Sequence, residues 1–466
     1  MEKRKPIAII GAGIAGLTAA NYLRKQNEPF ILFEASDKIA GLAASFTDAD
    51  GFSNDFGAHF ITNRLAKAVG ILDECILVKH YGEAIWLKEK SYAYPFGLIA
   101  IPRLVIGFLK RKLKFARPDK EAASAKEWFR NRYGYAFSDE VALPLIEAWS
   151  GAPAEDLAPA VGSSLPESIF KTFYLKVASV VTRRAVACGY NREMPEKASV
   201  WHVYPRGGVS TLCKKLAEGL EESIRLQSPV REIVTENNEV VAVKVNGETI
   251  PVSAVISTAP ANILAKMVSG TDALKDFSKF RFRPMIFVNL KLDGTNILPD
   301  TVLWFPEKKY PFFRLTEVTR SMPWLAPKGK SIITVDIGCE KDGEFWNMDE
   351  AALTEICLQH LETTFPGFRE KLIGSNVIRT TVAYPIFLKQ YEKERLEFEK
   401  STGVDNLISI GRNGEFAHRF MEDIYWRTQK KIKHFLEPKK EAAASQAAKQ
   451  RRSEKHEFDN GYQPSV

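Results

Sequence analysis

Short apolar, β-branched runs at Ile7–Ile10 and Phe30–Glu34 flank a stretch rich in Ala and Leu. Such runs predict buried strands and the longer Ala/Leu stretch predicts a helix, so the first thirty-odd residues read as one βαβ unit. A βαβ unit implies a parallel sheet. From about Pro95 to Met194 the pattern lengthens into helical segments carrying Trp and Phe, among them Ala123–Tyr133 and Asp139–Trp149, as expected of an inserted, mostly helical domain. Gly208–Leu220 reads as a helix. Ser223–Leu226, Val230–Thr235, Val240–Val245 and Thr249–Val252 then alternate as short strands, with turn signals at Asn237-Asn238 and Asn246-Gly247. Val255–Pro260 reads as one more buried strand ending in a tight turn. Alternation over Met285–Leu292, Thr301–Phe305 and Ser331–Ile337 predicts an antiparallel sheet in a second domain. Near the end, Leu407–Ile410 is expected to be a strand, Met421–Phe435 a helix, and the polar Glu437–Val466 a mobile tail.

A chain of 466 residues exceeds what one core usually organises, so two packed domains are expected. With 45% hydrophobic and 26% charged residues the composition is that of a folded globular protein. Five widely spaced cysteines without a C-x-x-C pair indicate neither a disulfide framework nor a zinc site, and a reducing, cytoplasmic setting is expected. The N-terminus passes at once into the first strand without a secretory-type apolar stretch. No H-x-x-x-H or paired Asp/Glu spacing suggests a metal, and there is no Walker-type loop. Basic residues are not interleaved with aromatics as in a nucleic-acid stripe. The formal charge of +8 is concentrated, because Ile101–Lys120 holds seven basic residues against Asp119. That cluster follows the apolar Phe96–Leu109 segment, too short and too interrupted by Pro102 and Arg103 to cross a bilayer. An apolar face flanked by Lys and Arg is the composition of an interfacial element, so peripheral membrane contact through residues 96–117 is expected, with a buried helix ending in solvated charges as the alternative.

The chemistry begins at Gly11-Ala-Gly13-Ile-Ala-Gly16, between the first strand and its helix. Gly11 permits the tight turn, Gly13 lets a pyrophosphate approach the helix N-terminus, and Gly16 allows close packing of helix on strand. Glu34 closes the second strand where a carboxylate can accept hydrogen bonds from adenosine ribose hydroxyls, which disfavours a 2′-phosphate. The following segments, Ala35 to Ser45 with Ala40, Gly41, Leu42 and Ala44, then Asp50 to Phe60 with Gly57-Ala58-His59, resemble the FAD-dependent amine-oxidase superfamily. The resemblance is to the branch holding protoporphyrinogen oxidases and UDP-galactopyranose mutases, where a Gly-Gly turn with a basic residue stands at Ala40–Ala44. It recurs at Tyr204–Gly208, which leads to the strand opened by Val230, and at Gly411-Arg412-Asn-Gly414-Glu-Phe416-Ala-His418-Arg-Phe-Met421-Glu422-Asp423, similar to a mutase-type motif.

The resemblance implies an α/β fold: a discontinuous Rossmann-like FAD-binding domain (residues 1–90, 200–265 and 395–436) and an α+β substrate domain (residues 91–199 and 266–394). It implies FAD held by Gly11, Gly13, Ile14, Ala15, Gly16, Glu34 and Ala35 on the adenosine and diphosphate side, with Val230 meeting the adenine. It places Gly41, Leu42, Gly57, Ala58 and His59 nearer the ring, and Gly411, Arg412 and Met421 at the diphosphate and the flavin edge. His59 is the leading candidate catalytic residue, a histidine satisfied within a turn being the alternative. Arg314 is a candidate anion clamp, as are Arg281 and Arg283, against structural ion pairs. Trp149 and Trp201 are candidate stacking walls, against core packing. The expected function is FAD-dependent oxidation or desaturation of a small apolar or amphipathic substrate with hydride passing to flavin N5. The alternatives are a mutase acting on a nucleotide-diphosphate sugar and a non-catalytic flavin-binding scaffold.

Overall fold

The computed structural model of the chain describes residues 4–114, 122–164, 169–189 and 191–437. The expected βαβ unit is formed by β1 (Ile7–Ile10), α1 (Ile14–Lys25) and β2 (Phe30–Phe33). The two strands pair in parallel, and the sheet continues in parallel to Ile224–Arg225 on one side and to Ala254–Ser257 and Leu407–Ser409 on the other. Strands from three distant parts of the chain thus build one five-stranded sheet. Its two faces are covered by different layers. Leu17, Ala20 and Leu23 of α1 pack with Ile7 and Ile9, the helix Ser210–Ala217 and the helix 421–437; Ala8 and Ile10 face a second core under the sheet of Val230–Glu236, Glu239–Val245 and Glu248–Pro251. The asparagine turns behave as expected, with Asn237, Asn238, Asn246 and Gly247 all at positive φ, as a twist-compatible hairpin needs.

The second domain is a seven-stranded sheet in the order Leu372–Pro385, Phe282–Asp293, Lys330–Gly338, Arg314–Glu317, Val302–Trp304, Glu83–Leu87, Lys90–Tyr94. Two expectations are corrected here. Glu83–Leu87 belongs to this sheet rather than to the cofactor domain, which moves the first boundary ahead of it. The sheet is mixed rather than wholly antiparallel, because Val302–Trp304 pairs in parallel with Glu83–Leu87. Leu372–Pro385 was invisible in the pattern: its Gly374, Ser375, Asn376 and paired threonines break the apolar alternation, as a half-exposed edge strand allows.

Alternation within Phe282–Asp293 decides where the site lies. Ile286, Val288, Leu290 and Leu292 face the helix Glu350–Thr364, while Met285 and Phe287 face Phe56, Trp149 and Tyr384 towards the cofactor domain. The inserted segment is helical as expected, with Pro102–Lys114, Ala125–Tyr133, Leu143–Ser150 and Ile169–Thr182. The expected helix Asp139–Trp149 forms within one continuous helical stretch, in which a π turn, Ser138–Ala142, runs directly into Leu143–Ser150. Pro144 supplies no N–H to the preceding turn, which accounts for the widening there. Of the expected tail, Glu437 ends the helix 421–437 and residues 438–466 lie outside the described residues.

Candidate active site

At the C-terminal end of β1, Gly11 has φ +95°, and a Cβ on it would stand 2.2 Å from Thr258 Oγ1. A Cβ on Gly16 would stand 1.9 Å from the Gly11 carbonyl oxygen. These two glycines are therefore dictated by packing, as the spacing implies. Gly13 caps α1 without a side-chain hydrogen bond, leaving the first-turn amides at Ile14 and Ala15 open to an anion. Glu34 is fixed at the edge: one carboxylate oxygen accepts from Ala12 N at 2.7 Å and the other from Ser36 N and Ser36 Oγ, each at 2.9 Å. Ala35 is exposed beside it, and Val230 opens its strand nearly buried.

Ala40 takes φ 93° and ψ −23°, the left-handed conformation that the family's glycine would adopt without penalty, and it leads directly into Gly41 and Leu42. A β-carbon there costs about 1 kcal/mol. Ala40→Gly is accordingly expected to raise unfolding free energy by roughly that amount, checked by urea denaturation.

The C-terminal motif comes back to the same place. A Cβ on Gly411 would lie 2.9 Å from the Ala15 Cβ, so Arg412 starts from the N-terminal end of α1. Its guanidinium then lies over the Tyr384 ring, 4.7 Å from the centroid, and is buried with Nε and Nη2 lacking any hydrogen-bond partner among the described residues. Burial lowers its pKa, Tyr384 opposes this, and the nearby Arg314 adds to the lowering. A buried cation with unmet donors needs an anion, and the diphosphate or the N1–C2 carbonyl edge of a flavin has the required chemistry. The residues present therefore fit FAD.

Beyond Arg412 the wall is aromatic. Tyr384 stacks on His418 at 5.6 Å, and Trp149 stacks on His418 at 6.1 Å with their planes 2° apart. Arg314 is ion-paired with the fully buried Asp336 and lies over the Trp304 ring. Burial disfavours its charge, but the Asp336 carboxylate more than offsets this and raises its pKa, while burial outweighs Arg314 at Asp336 and raises the carboxyl's pKa. A Cβ on Gly57, which has φ +78°, would sit 3.4 Å from Arg314 Nη2, bringing Gly57, Ala58 and His59 to this face.

His59 is neutral at physiological pH: burial, then Arg412 and Arg314, push its pKa down to about 4. Its Nδ1 has no hydrogen-bond partner among the described residues and lies 3.8 Å from Asp55 Oδ2. Asp55 lies in the same motif, and its residue type alone marks no role for it. It is buried, accepts a 2.7 Å hydrogen bond from Tyr204 and has its pKa raised to about 7, burial outweighing the bonds from Ser45 and Tyr204. With His59 neutral, the short separation is not an ion pair.

The two groups pull stability in opposite directions. The native pKa of Asp55 lies above its unfolded value of 3.8, so its contribution is full below that value and is lost as pH rises towards about 7. The native pKa of His59 lies below 6.5, so its contribution is present above that value and is lost as pH falls towards about 4. Asp55→Asn removes the first effect alone. The change in unfolding free energy between pH 5 and pH 8, read from urea titrations, is expected to be more favourable at high pH in this variant than in wild type, by on the order of 1 kcal/mol or more.

Other predicted residues lie elsewhere. Arg283 pairs with Glu340 and Arg281 lies 3.6 Å from the same carboxylate, so both are engaged in structural ion pairs. Trp201 packs beneath Arg184, 4.2 Å from its ring centroid, against the cofactor-domain core rather than the aromatic wall. Within the C-terminal motif, Phe416 stacks on Phe280 in the core, and Met421 opens the helix 421–437 partly buried against the cofactor-domain core. Glu422 holds Arg64 Nε at 2.5 Å and Thr62 Oγ1 at 2.8 Å. Asp423 accepts from the backbone of Arg192 and Glu193. Tyr384 and Asp336, both central to the site, carried no sequence signal, because each sits on a strand whose neighbours are remote in sequence.

The family of flavin containing amine oxidoreductases matches residues 14–401 of the chain. The chain belongs to this family. Among its relatives is a coproporphyrinogen III oxidase of Bacillus subtilis, 24% identical over 403 residues, spanning 78% of this chain and 83% of that one. The mitochondrial protoporphyrinogen oxidase of Nicotiana tabacum is 22% identical over 442 residues, spanning 83% and 86%. The solved structure of reduced UDP-galactopyranose mutase superposes with a TM-score of 0.76 at 18% identity, covering 93% of this chain and 95% of that one. This member of the family is a flavin-dependent oxidoreductase with FAD as its cofactor.

Proposed function

We propose that this enzyme oxidises or desaturates a small apolar or amphipathic substrate, with porphyrinogens as the leading class. The observation that carries the reading is the flat Trp149, Tyr384 and His418 wall beside the buried, partnerless donors of Arg412. Bound FAD supplies the hydride acceptor. The amides at Ile14 and Ala15, with Gly11, Gly13, Gly16, Gly411 and Arg412, would hold its diphosphate. Glu34, Ala35 and Val230 would hold the adenosine, and Gly41, Leu42, Gly57, Ala58, His59 and Met421 would border the flavin.

Phe56, Phe287 and Phe313 cluster where the seven-stranded sheet faces the cofactor domain, and such an apolar cluster would keep water from the reacting carbon. Neutral His59 offers a hydrogen bond without a charge, which suits an uncharged donor carbon better than an imidazolium would. Arg314, fixed by Asp336, orients polar substituents of the substrate. The relatives named as porphyrinogen oxidases support an amphipathic tetrapyrrole substrate whose rings meet the aromatic wall and whose polar substituents meet Arg314.

The mutase reading draws on the motif from Gly411 to Asp423. Glu422 and Asp423 are committed to Arg64, Thr62 and the backbone of residues 192 and 193, which leaves neither to meet a sugar nucleotide and favours oxidation. The scaffold reading rested on Ala40 and Ala44, and Ala40 preserves the turn.

The test is steady-state turnover on porphyrinogens, amines and carotenoid-type polyenes, for wild type and Tyr384→Leu. Loss of one stacking partner is expected to raise KM for the preferred substrate about 3–10-fold with kcat little changed. No turnover of any donor by the flavin-loaded wild type would remove the oxidative reading.

A further inference from the structure

The hairpin of Ser45–Thr47 and Ser53–Asp55 sets Ser45 directly across from Asp55. A tight turn follows: Gly57 N donates to Asp55 O at 2.9 Å, and Gly57 takes φ +78°, a conformation that favours glycine. The chain thereby doubles back, and His59 arrives beside Asp55 with Nδ1 3.8 Å from Oδ2. From a remote part of the sequence, Tyr204 donates its hydroxyl proton to Asp55 Oδ2 at 2.7 Å, and the same hydroxyl oxygen accepts from Val209 N at 3.3 Å. Ser45 Oγ accepts from Ser210 N at 3.1 Å, so the loop after Tyr204 is tied to both strands of the hairpin.

Two atoms of this cluster are left over. Asp55 Oδ1 and His59 Nδ1 are both buried without a hydrogen-bond partner among the described residues. Hydrogen bonds that serve a reaction are often this loose before a substrate closes the site. Exposure sets the order of the two groups: His59 keeps 21% of its side chain exposed and Asp55 5%, so only the imidazole can meet a substrate. The charges facing the pair are Arg412 and Arg314, and the further titratable group is Tyr204, whose phenol burial and then Asp55 hold protonated. Two guanidinium groups beside His59 oppose an imidazolium, so a proton reaching the ring has to be passed on rather than stored. Asp55, with its pKa raised to about 7 chiefly by burial, can hold that proton.

We propose that Asp55 is the positioning residue behind His59 and the final acceptor of the proton released in the oxidation, set in place by Tyr204. The inference rests on the oxidative reading above. As the substrate gives up a hydride from carbon to the flavin, the adjacent N–H or C–H bond of the substrate breaks and its electron pair forms the new double bond. The proton from that bond goes to His59 Nε2, the Nδ1 proton goes to the ionised Asp55, and the imidazole stays neutral throughout. The relay needs the Nδ1–H tautomer, which a carboxylate beside Nδ1 favours. Once product has left, water at Nε2 takes the proton back along the same path. Because the ionised carboxylate is the accepting form, the rate rises as pH passes through the range in which Asp55 loses its proton.

Two measurements on the FAD-loaded enzyme test this. Infrared spectra of the oxidised enzyme without any donor should show a protonated-carboxyl band that fades as pH rises through about 7 and that is missing in Asp55→Asn. Anaerobic stopped-flow then follows reduction of the flavin by whichever of a porphyrinogen, an amine and a carotenoid-type polyene reduces wild type fastest. The wild-type rate should rise about tenfold per pH unit below the inflection and level off above it. Asp55→Asn should be slower by about a hundredfold and flat in pH, and Asp55→Glu should recover part of both the rate and its pH dependence. Tyr204→Phe keeps the ring but removes a donor that favours the ionised carboxylate, so the inflection should move to higher pH by about one unit. A carboxyl band that ignores pH, or that survives in Asp55→Asn, overturns the proposal whatever the substrate is. Reduction in Asp55→Asn that matches wild type in rate and pH dependence overturns it as well. A wild-type flavin that none of the donors reduces overturns the oxidative reading, and this inference with it, while leaving the titrating band in place.

Discussion

Gly16→Val is expected to yield a protein that no longer retains flavin. The β-carbon would stand 1.9 Å from the backbone oxygen of Gly11, and a backbone atom in a hydrogen-bonded strand end cannot swing aside as a side chain would. Gly11 N is held by Phe33 O at 2.7 Å, and the Gly11 Cα faces Thr258, so relief has to come from moving α1 away from β1. That motion displaces the amides at Ile14 and Ala15 and pulls Ala15 from the position where Gly411 and Arg412 meet it. Overpacking of this kind costs about 1–3 kcal/mol before any loss of cofactor contacts, and ~1.4 kcal/mol is already a factor of ten in binding. Flavin content after purification, read from the visible absorbance per protein, should fall by about tenfold or more. Gly13→Ala should be far milder, since its Cβ would be 3.8 Å from Ala40 O.

The second large effect is expected at Asp336, a residue no motif marks. Its carboxylate is fully buried and balances Arg314, which is also enclosed beside Trp304, Gly57 and the further cation Arg412. Asp336→Asn keeps the shape and removes the charge, leaving two buried guanidinium groups without an internal carboxylate. Breaking one side of a buried pair costs about 3–5 kcal/mol, and denaturation midpoints should drop accordingly. Bound FAD should recover part of that loss, because its diphosphate answers Arg412, so the apo variant is expected to be more destabilised than the holo variant. Equal stability of wild type and variant in both states would show that Arg314 is not held by this pair.

The sequence was most readable where local rules decide. The glycine spacing, the terminal Glu34 and the asparagine turns each have a steric reason that a single segment carries, and the structure places them as those reasons demand. Readability failed where the deciding neighbours are distant. Tyr384 and Asp336 look like ordinary strand residues until the sheet order puts them beside Arg412 and Arg314. Glu422 looks like a site acid until Arg64 and Thr62 arrive from 358 and 360 positions away to hold it. The helix Ile169–Thr182 shows the same limit from the opposite side. Its apolar spacing is that of a core-facing helix, and only burial reveals that the apolar face looks outwards.

The account stands most directly on one measurement: anaerobic mixing of the oxidised, flavin-loaded enzyme with porphyrinogen, amine and polyene donors, and separately with UDP-galactopyranose, while the visible flavin band is followed. Bleaching by an oxidisable donor, with no spectral or chemical change from the sugar nucleotide, is the predicted result. A flavin that stays oxidised with every donor, together with isomerisation of UDP-galactopyranose once the flavin has been reduced by dithionite, would contradict it.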